Sequence, residues 1–191
     1  MSSFSLVIIV GWGTFCVYWL ISALRTRSQT ERQQSCLFLR LYLILLVLGY
    51  LLLISHPAAF GPLLRRFLPD NIGVKLIGII IMFLGLGFAA WARVHLGKYW
   101  SGGRASIKVD HKLIQTGPYK IVRHPIYAGM LFGFIGTAIV IGEIRAPLTV
   151  VFILAAFLIK ILTEEKLLLE EFGSTYLRYK KEVKMLIPFI V

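Results

Sequence analysis

The sequence predicts an all-α integral membrane protein with about five transmembrane helices. Hydrophobic residues make up 58% of the 191-residue chain, above the roughly 45–50% that is typical of soluble domains. The mean hydropathy is +0.79, and several apolar runs approach the roughly 20 residues that a spanning helix needs. Because little sequence remains outside these runs, we expect one membrane domain over residues 1–191.

The apolar runs also predict where the spans lie and how the last one ends. The final run does not stop at a turn signal but continues into the acidic segment 163–173, so we expect this helix to leave the bilayer still folded. The connection 56–70 contains three prolines, which disfavour a long helix and indicate an external loop. The predicted spans are residues 4–24, 41–60, 73–94, 125–141 and 147–162.

Basic residues predict the orientation in the membrane. Seventeen of the 21 Lys and Arg residues lie in segments 25–40, 93–124 and the tail from Lys160. The positive-inside rule places these segments in the cytoplasm, with the N-terminus outside and the C-terminus inside, although Arg65 and Arg66 conflict mildly with this orientation. Because the basic residues behind the net charge of +12 lie between apolar runs, membrane orientation explains them better than nucleic-acid binding does. The expected partners are therefore membrane lipids and not nucleic acid.

Glycines in the third and fourth predicted spans indicate close helix packing. Small residues let the backbones of membrane helices approach each other. We expect this packing to occur within one monomer, while dimerisation and close approach to a ligand remain alternatives. The residues are Gly78, Gly85 and Gly87 in the third span and Gly129, Gly133 and Gly136 in the fourth.

Two polar segments form the candidate site. The first reads GPYKIVRHPIYAG at 117–129. Pro125 has no N–H to donate and biases His124 away from the α region, which places a helix boundary there and puts His124 and Tyr127 at the mouth of a membrane helix. The second is the acidic segment 163–173. A helix end and a protruding helix would together enclose a small polar site at the membrane interface.

The long connection between the third and fourth spans adds His95, Trp100, His111 and Tyr119. A linker of about thirty residues is longer than a minimal connection requires, so we expect these groups to help bind a polar cofactor. No HxxxH, CxxC or HExxH spacing occurs, so no metal site is predicted.

Lys160 and Glu164 are four residues apart and therefore share a helix face. The simplest interpretation is a surface ion pair in which Lys160 extends its ammonium to the membrane boundary. The run of Glu164, Glu165, Glu170 and Glu171 is likewise consistent with a solvated helix face. The alternative is that these groups face a functional site.

The 117–129 segment, the later EEKLLLEEFGSTYLRYKKEV and the terminal IPFI together resemble the isoprenylcysteine carboxyl methyltransferase family. A broader group of membrane phospholipid methyltransferases is similar as well. The resemblance covers roughly residues 96–190. It implies a multi-span helical enzyme that uses S-adenosylmethionine, in which residues 1–60 supply N-terminal spans and residues 93–191 form a cofactor pocket on the cytoplasmic side.

The resemblance also implies the site residues. Lys160 stands where the family has a substrate-contacting Arg, and Lys keeps the charge but lacks the planar fork that suits a carboxylate. The implied cofactor contacts are His111, Lys112, Leu113, Ile114, Tyr119, His124, Pro125, Ile126, Tyr127 and Glu164.

The chemistry of S-adenosylmethionine agrees with these residue types. Glu164 is suited to its ammonium, and aromatic faces are suited to its sulfonium. A carboxylate acceptor on a lipid-like or prenylated molecule is already ionised, whereas an amine or hydroxyl would need a general base, for which His124 and Glu165 are the candidates. We therefore expect a methyltransferase. The alternatives are a phospholipid amine methyltransferase, a sterol-reductase-like NADPH enzyme and a non-catalytic membrane binding protein.

Overall fold

The computed structural model describes residues 3–25, 30–33, 36–54, 61–100, 106–108 and 112–188. Helices dominate this part of the chain, in agreement with the predicted fold class. Three short 3₁₀ helices lie between them, at Gly61–Leu64, Gly97–Tyr99 and Gly117–Lys120. The α-helices are α1 (Ser3–Arg25), α2 (Cys36–Ile54), α3 (Ile72–Leu96), α4 (Pro125–Ile141) and α5 (Arg145–Glu182).

Three of the described helical segments are long and apolar enough to cross a membrane: α1, α5 and the segment Ile72–Tyr99, which contains α3. The apolar part of α2, Arg40–Leu52, and helix α4 are shorter. Helix α4 has the predicted bounds, whereas α2 ends at Ile54 and positions 55–60 of its predicted span lie outside the described residues.

Helix α5 continues well past the predicted span, as the acidic segment indicated. Its 38 residues correspond to about 57 Å of helix, summed over two parts on either side of a kink, at 1.5 Å per residue, whereas the hydrocarbon core of a bilayer is roughly 30 Å thick. Gly173 interrupts it with φ 48° and ψ −122°, a conformation that favours glycine. The kink reorients the final turns of α5, which carry Tyr176 and Tyr179.

Helices α3 and α4 pack through most of the predicted glycines, but not through Gly87, where an added Cβ would meet no heavy atom within 4 Å. A Cβ on Gly85 would lie 2.6 Å from both Gly129 O and Gly133 N, so only glycine permits this approach. Gly78 faces α4 in the same way, since its Cβ would lie 2.7 Å from Gly136 O. The glycines therefore join two helices of one chain, as expected.

The two N-terminal helices pack against different helices of the bundle. Trp12 of α1 stacks against Phe134 of α4 with ring centroids 4.4 Å apart and donates from Nε1 to Thr137 Oγ1 at 3.0 Å. Helix α2 packs on α5, where Thr149 Oγ1 donates to the carbonyl of Gly49 at 3.2 Å. Both N-terminal helices can thus contribute side chains to a site between α4 and α5.

A short antiparallel pair of strands, β1 (Thr30–Gln33) and β2 (Ser106–Lys108), joins two distant connections, with Arg32 opposite Ile107. The sequence did not predict it. It brings the α1–α2 connection beside the segment that follows α3, on the same side of the helices as the candidate site.

Arg66, one of the basic residues that conflicted with the orientation, has structural partners at the other end of the helices. Its Nη1 donates to the carbonyl of Ile141 at 2.9 Å, and its Nη2 lies 3.5 Å from Asp70 Oδ1. These contacts join the loop before α3 to the α4–α5 turn. The positive charge of Arg66 therefore has a structural role that is independent of membrane orientation.

Candidate functional site

A cavity of about 400 Å³ lies where the N-terminal end of α4 faces the middle of α5. Its volume is within the roughly 300–1,000 Å³ that is typical of small-molecule sites. The walls are mostly apolar and aromatic, with a few polar groups. The lining residues are Trp19, Tyr42, Leu96, Tyr99, Trp100, Lys112, Leu113, Ile114, Tyr119, Arg123, His124, Pro125, Ile126, Tyr127, Met130, Phe157, Lys160, Glu164, Leu167, Leu168, Tyr176 and Tyr179.

The His-Pro boundary places His124 and Tyr127 at this cavity. Helix α4 begins at Pro125, directly after His124, as predicted. The extended turn before it is stabilised from outside the helix, since the backbone N–H of His124 donates to the carbonyl of Met185 at 3.1 Å. The first turn of α4 therefore presents its side chains to the cavity from a fixed backbone.

Glu164 is the centre of the polar cluster in the cavity. Tyr127 donates its hydroxyl to Glu164 Oε1 at 2.7 Å, and Lys160 Nζ lies 3.4 Å from the same oxygen. His124 Nδ1 is 3.9 Å from Glu164 Oε2. The cluster thus contains one carboxylate, one amine, one imidazole and one phenol that can bind a polar ligand.

Lys160 does not extend to the membrane boundary, so that interpretation is wrong. The residue is only 5% exposed, and its Nζ has no hydrogen-bond partner among the residues that the structure describes. Its ion pair with Glu164, by contrast, confirms that the two share a helix face. A buried ammonium with unused donors is available to a ligand anion.

Glu165 lies on a different side of α5, and it does not form a solvated face because it is 4% exposed. Its Oε1 accepts from Arg123 Nε at 2.9 Å and contacts Arg123 Nη2 at 2.8 Å. Lys180 Nζ donates to Oε2 at 2.6 Å. Glu165 is not one of the residues that line the cavity in the described part of the chain.

The structure brings together most of the predicted site residues. His111 lies outside the described residues. His95 does not line the cavity; its Nε2 lies 2.8 Å from Thr116 Oγ1, and it packs beneath Gly117, where it supports the turn before Tyr119. The predicted residues at the cavity are Lys112, Leu113, Ile114, Tyr119, His124, Pro125, Ile126, Tyr127, Lys160 and Glu164.

Trp19 and Tyr42 also line the cavity, and the sequence analysis missed them because they come from the N-terminal helices. Trp19 of α1 meets Trp100 edge to face at 5.5 Å, and Tyr42 of α2 lies near α5. Arg93, which is 1% exposed, lies 4.2 Å from the Trp100 ring and donates to the carbonyl of Ser22 at 3.0 Å. Arg93 therefore fixes this aromatic wall to α1.

Arg123, Tyr176 and Tyr179 were also missed, although they belong to the segments that carried the resemblance. Tyr179 donates its hydroxyl to the carbonyl of Tyr119 at 2.6 Å, which ties the end of α5 to the turn before α4. The signal in the sequence was the position of Arg123 directly before the His-Pro pair, where it was counted only as a basic loop residue.

Comparison with known proteins agrees with this architecture. The sequence model of the phospholipid methyltransferase family matches residues 74–175. A protein-S-isoprenylcysteine O-methyltransferase of Saccharomyces cerevisiae is 39% identical over 82 residues, which cover 42% of this chain and 34% of the yeast protein. Protein-S-isoprenylcysteine O-methyltransferase B of Arabidopsis thaliana is 28% identical over 159 residues, which cover 82% of this chain and 78% of the plant protein.

A solved structure has the same fold. The eukaryotic intramembrane Ras methyltransferase, isoprenylcysteine carboxyl methyltransferase, aligns over 96% of this chain and 68% of its own length, with a TM-score of 0.59 and 23% identity. The present chain spans only about a third of the length of the S. cerevisiae relative. The resemblance inferred from the sequence is confirmed, and since the family match extends over more than half of the residues, the chain belongs to the phospholipid methyltransferase family.

Proposed function

We propose that this protein transfers a methyl group from S-adenosylmethionine to a carboxylate on a lipid-like or prenylated acceptor. The observation that carries the proposal is the pair of a buried Lys160 and a half-buried Glu164, whose oppositely charged groups lie 3.4 Å apart in a largely apolar cavity. In such a pair the anion, Glu164, can bind a cationic group of one ligand, and the cation, Lys160, can bind an anionic group of another. The names of the curated relatives support the same reaction.

The residues present fit S-adenosylmethionine. Glu164 is suited to hold its ammonium, because the carboxylate has acceptor capacity beyond its contacts with Tyr127 and Lys160. Leu113 and Ile114 supply an apolar surface for the adenine. The tyrosine and tryptophan faces that line the cavity are suited to a sulfonium, since aromatic rings attract cations.

When bound, this cofactor supplies an electrophilic methyl group. The side chains of the cavity would bind and orient the cofactor and the acceptor and would exclude water. Orientation matters because methyl transfer requires the nucleophile to approach in line with the bond that breaks. Lys160 would hold the acceptor carboxylate, which is ionised and needs no general base. The aromatic wall of Trp19 and Trp100 would close the cavity against water on the side of α1.

The apolar surroundings favour an acceptor with a lipid-like tail. The cavity that holds Lys160 and Glu164 is also lined by apolar side chains such as Met130, Phe157 and Leu168, and α1 and α2 expose large apolar residues along their length. The lipid-like tail of an acceptor would fit these apolar surfaces, while its polar end would bind at the Lys160–Glu164 cluster. By the positive-inside rule, we place this site on the cytoplasmic side.

A phospholipid amine is the second candidate acceptor, because the family's sequence model is that of phospholipid methyltransferases. This acceptor would require His124 as general base, since a protonated amine is not a nucleophile. The buried ammonium of Lys160 would repel a cationic headgroup. The geometry therefore favours the carboxylate.

The test is direct. Protein purified in detergent should bind S-adenosylmethionine in calorimetry and transfer radiolabelled methyl to an N-acetyl S-prenylcysteine, but not to its amide, which lacks the carboxylate. Phosphatidylethanolamine and NADPH serve as comparison ligands. Methyl transfer to phosphatidylethanolamine alone would establish the second candidate. Binding of NADPH without S-adenosylmethionine, or of neither ligand, would refute the methyltransferase proposal.

A further inference from the structure

We infer that Arg123 and Glu165 form a positioning pair that fixes the imidazole of His124 and joins the C-terminal segment 183–186 to the site. A fixed His124 would support binding of the cofactor, so the role of this pair in ligand binding rests on the function proposed above. In this assignment Glu165 is not a proton acceptor for the reaction, although it is adjacent to Glu164 and was a candidate base.

The burial and contacts of Glu165 support this assignment. Arg123 and Glu165 have side chains that are 6% and 5% exposed, so neither charge is solvated. Both oxygens of Glu165 are engaged, one by Arg123 and the other by Lys180 at 2.6 Å. A carboxylate held by two cations strongly favours its ionised form and is a poor proton acceptor. Its position behind the wall of the cavity keeps it from an acceptor molecule.

The same carboxylate orients His124. The ring nitrogen Nε2 lies 3.3 Å from Glu165 Oε1, and an ionised carboxylate can only accept a hydrogen bond. Nε2 therefore carries a proton, whether the imidazole is neutral or charged. The other nitrogen, Nδ1, is thereby directed to the side of Glu164, 3.9 Å from its Oε2. The ring cannot turn without losing the contact with Glu165.

Arg123 connects this arrangement to the C-terminal segment. Its Nη1 donates to the carbonyl of Lys180 at 3.2 Å and to that of Val183. Its backbone N–H donates to the carbonyl of Lys184 at 2.7 Å. A single guanidinium thus binds the end of α5, the residue that follows it and the carboxylate beside His124. Lysine cannot make this set of contacts, because it lacks the planar fork.

The segment held in this way is part of the packed structure. Leu186 is 4% exposed and belongs to the same apolar cluster as Val122 and Phe157. The backbone N–H of His124 donates to the carbonyl of Met185. The turn that presents His124 is therefore bounded on one side by Glu165 and on the other by the C-terminal segment, and Arg123 bridges the two.

Two substitutions test the pair. Arg123→Gln and Glu165→Gln should each weaken S-adenosylmethionine binding by roughly tenfold, because His124, which lines the cavity, would lose its fixed position. Arg123→Lys should recover part of this affinity, because it restores the charge without the fork. The matched controls are Glu171→Gln and Arg178→Gln, exposed residues of the same helix, which should bind like the wild type.

A second measurement uses the protein without ligand. Nitrogen-15 spectra of histidine-labelled protein, assigned with His124→Gln, should show a protonated Nε2 for His124. In the Glu165→Gln variant this resonance should shift or broaden, because the charged acceptor is gone. If Glu165→Gln fails to fold, Arg123→Lys provides a second comparison: it keeps the charged acceptor but loosens the hold on it, so the resonance should shift less than in Glu165→Gln and still differ from the wild type.

The outcomes separate the alternatives. Unchanged cofactor affinity with lost turnover in Glu165→Gln would make Glu165 a proton acceptor and overturn the positioning pair. Wild-type affinity and turnover in both Gln variants, or an unprotonated Nε2 in the wild type, would overturn it too. If the wild-type protein binds no S-adenosylmethionine, the proposed function fails, and the histidine spectra still decide whether the pair fixes His124.

Discussion

Replacing Glu164 by Gln should have two separable effects, on stability and on cofactor binding. The carboxylate accepts from Tyr127 at 2.7 Å and pairs with Lys160 at 3.4 Å. Gln keeps the shape and still accepts from Tyr127, but it removes the charge opposite a buried ammonium. The same substitution removes the proposed partner of the cofactor's ammonium.

The stability loss follows from the burial of the pair. Removing one partner of a buried ion pair costs about 3–5 kcal/mol, because the remaining charge has no partner. The side chains of Lys160 and Glu164 are 5% and 20% exposed, so water partly screens the pair and we expect about 3 kcal/mol, the low end of that range. For a chain of this size that corresponds to a fall in Tm of roughly 6–12 °C.

The binding loss has a different origin. Loss of a charge-assisted contact with the cofactor ammonium costs about 1.5–3 kcal/mol, or roughly a ten- to hundredfold increase in Kd. Calorimetry in detergent measures this change directly. Glu170→Gln, an exposed carboxylate of the same helix, is the matched control and should alter neither Tm nor Kd.

The double variant Lys160→Met/Glu164→Gln separates the two effects. Replacing both partners of a buried pair with uncharged groups of similar volume is often neutral, so Tm should return close to the wild-type value. The Kd for S-adenosylmethionine should stay raised, because Glu164 is still absent. A double variant that binds the cofactor like the wild type would refute the assignment of Glu164, and an unchanged Tm in Glu164→Gln would refute the energetic argument for the pair.

Three further predictions concern packing, orientation and the acceptor. Gly85→Leu should abolish monodisperse folded protein in detergent, whereas Gly87→Leu, with no heavy atom within 4 Å of its Cβ, should be tolerated; equal behaviour of the two would contradict the packing argument. Reporter fusions should place position 110 in the cytoplasm and position 62 outside, and finding both on one side would contradict the orientation. Lys160→Ala should keep cofactor affinity and raise the acceptor KM. Lys160→Arg should improve activity on a prenylcysteine carboxylate, because it restores the planar fork. Loss of cofactor binding in Lys160→Ala would instead assign the residue to the cofactor pocket.

Much of the helical fold could be predicted because its signals are local. Pro125 marks the start of α4, and Gly142 ends it in the left-handed conformation with φ 66°, so both ends are encoded by residues next to the boundary. The strand pair was not predicted because its partners, Thr30–Gln33 and Ser106–Lys108, are short and far apart in the chain. Their pairing depends on the helices that bring the two connections together.

The C-terminal part of the site was predictable for a related reason. Residues 112–114, 119 and 124–127 lie close together in the chain, inside the region 96–190 whose resemblance to a family marked them together. Trp19 and Tyr42 lie in helices that are apolar on all sides. In a membrane helix, the side that faces lipid and the side that faces the protein interior both favour apolar residues. Periodicity therefore cannot tell which face of such a helix turns towards the cavity.

Glu164 and Glu165 illustrate the limit of sequence reasoning and the organisation of the site. Successive residues of an α-helix point about 100° apart, so two adjacent carboxylates cannot serve one cavity equally. Glu164 faces the cavity with Tyr127 and Lys160, whereas Glu165 faces Arg123 and Lys180 behind the wall. His124 lies between them, with one ring nitrogen 3.9 Å from Glu164 and the other 3.3 Å from Glu165. The acidic pair and the His-Pro turn therefore form one unit: one carboxylate is available to a ligand, and the other holds the imidazole beside it.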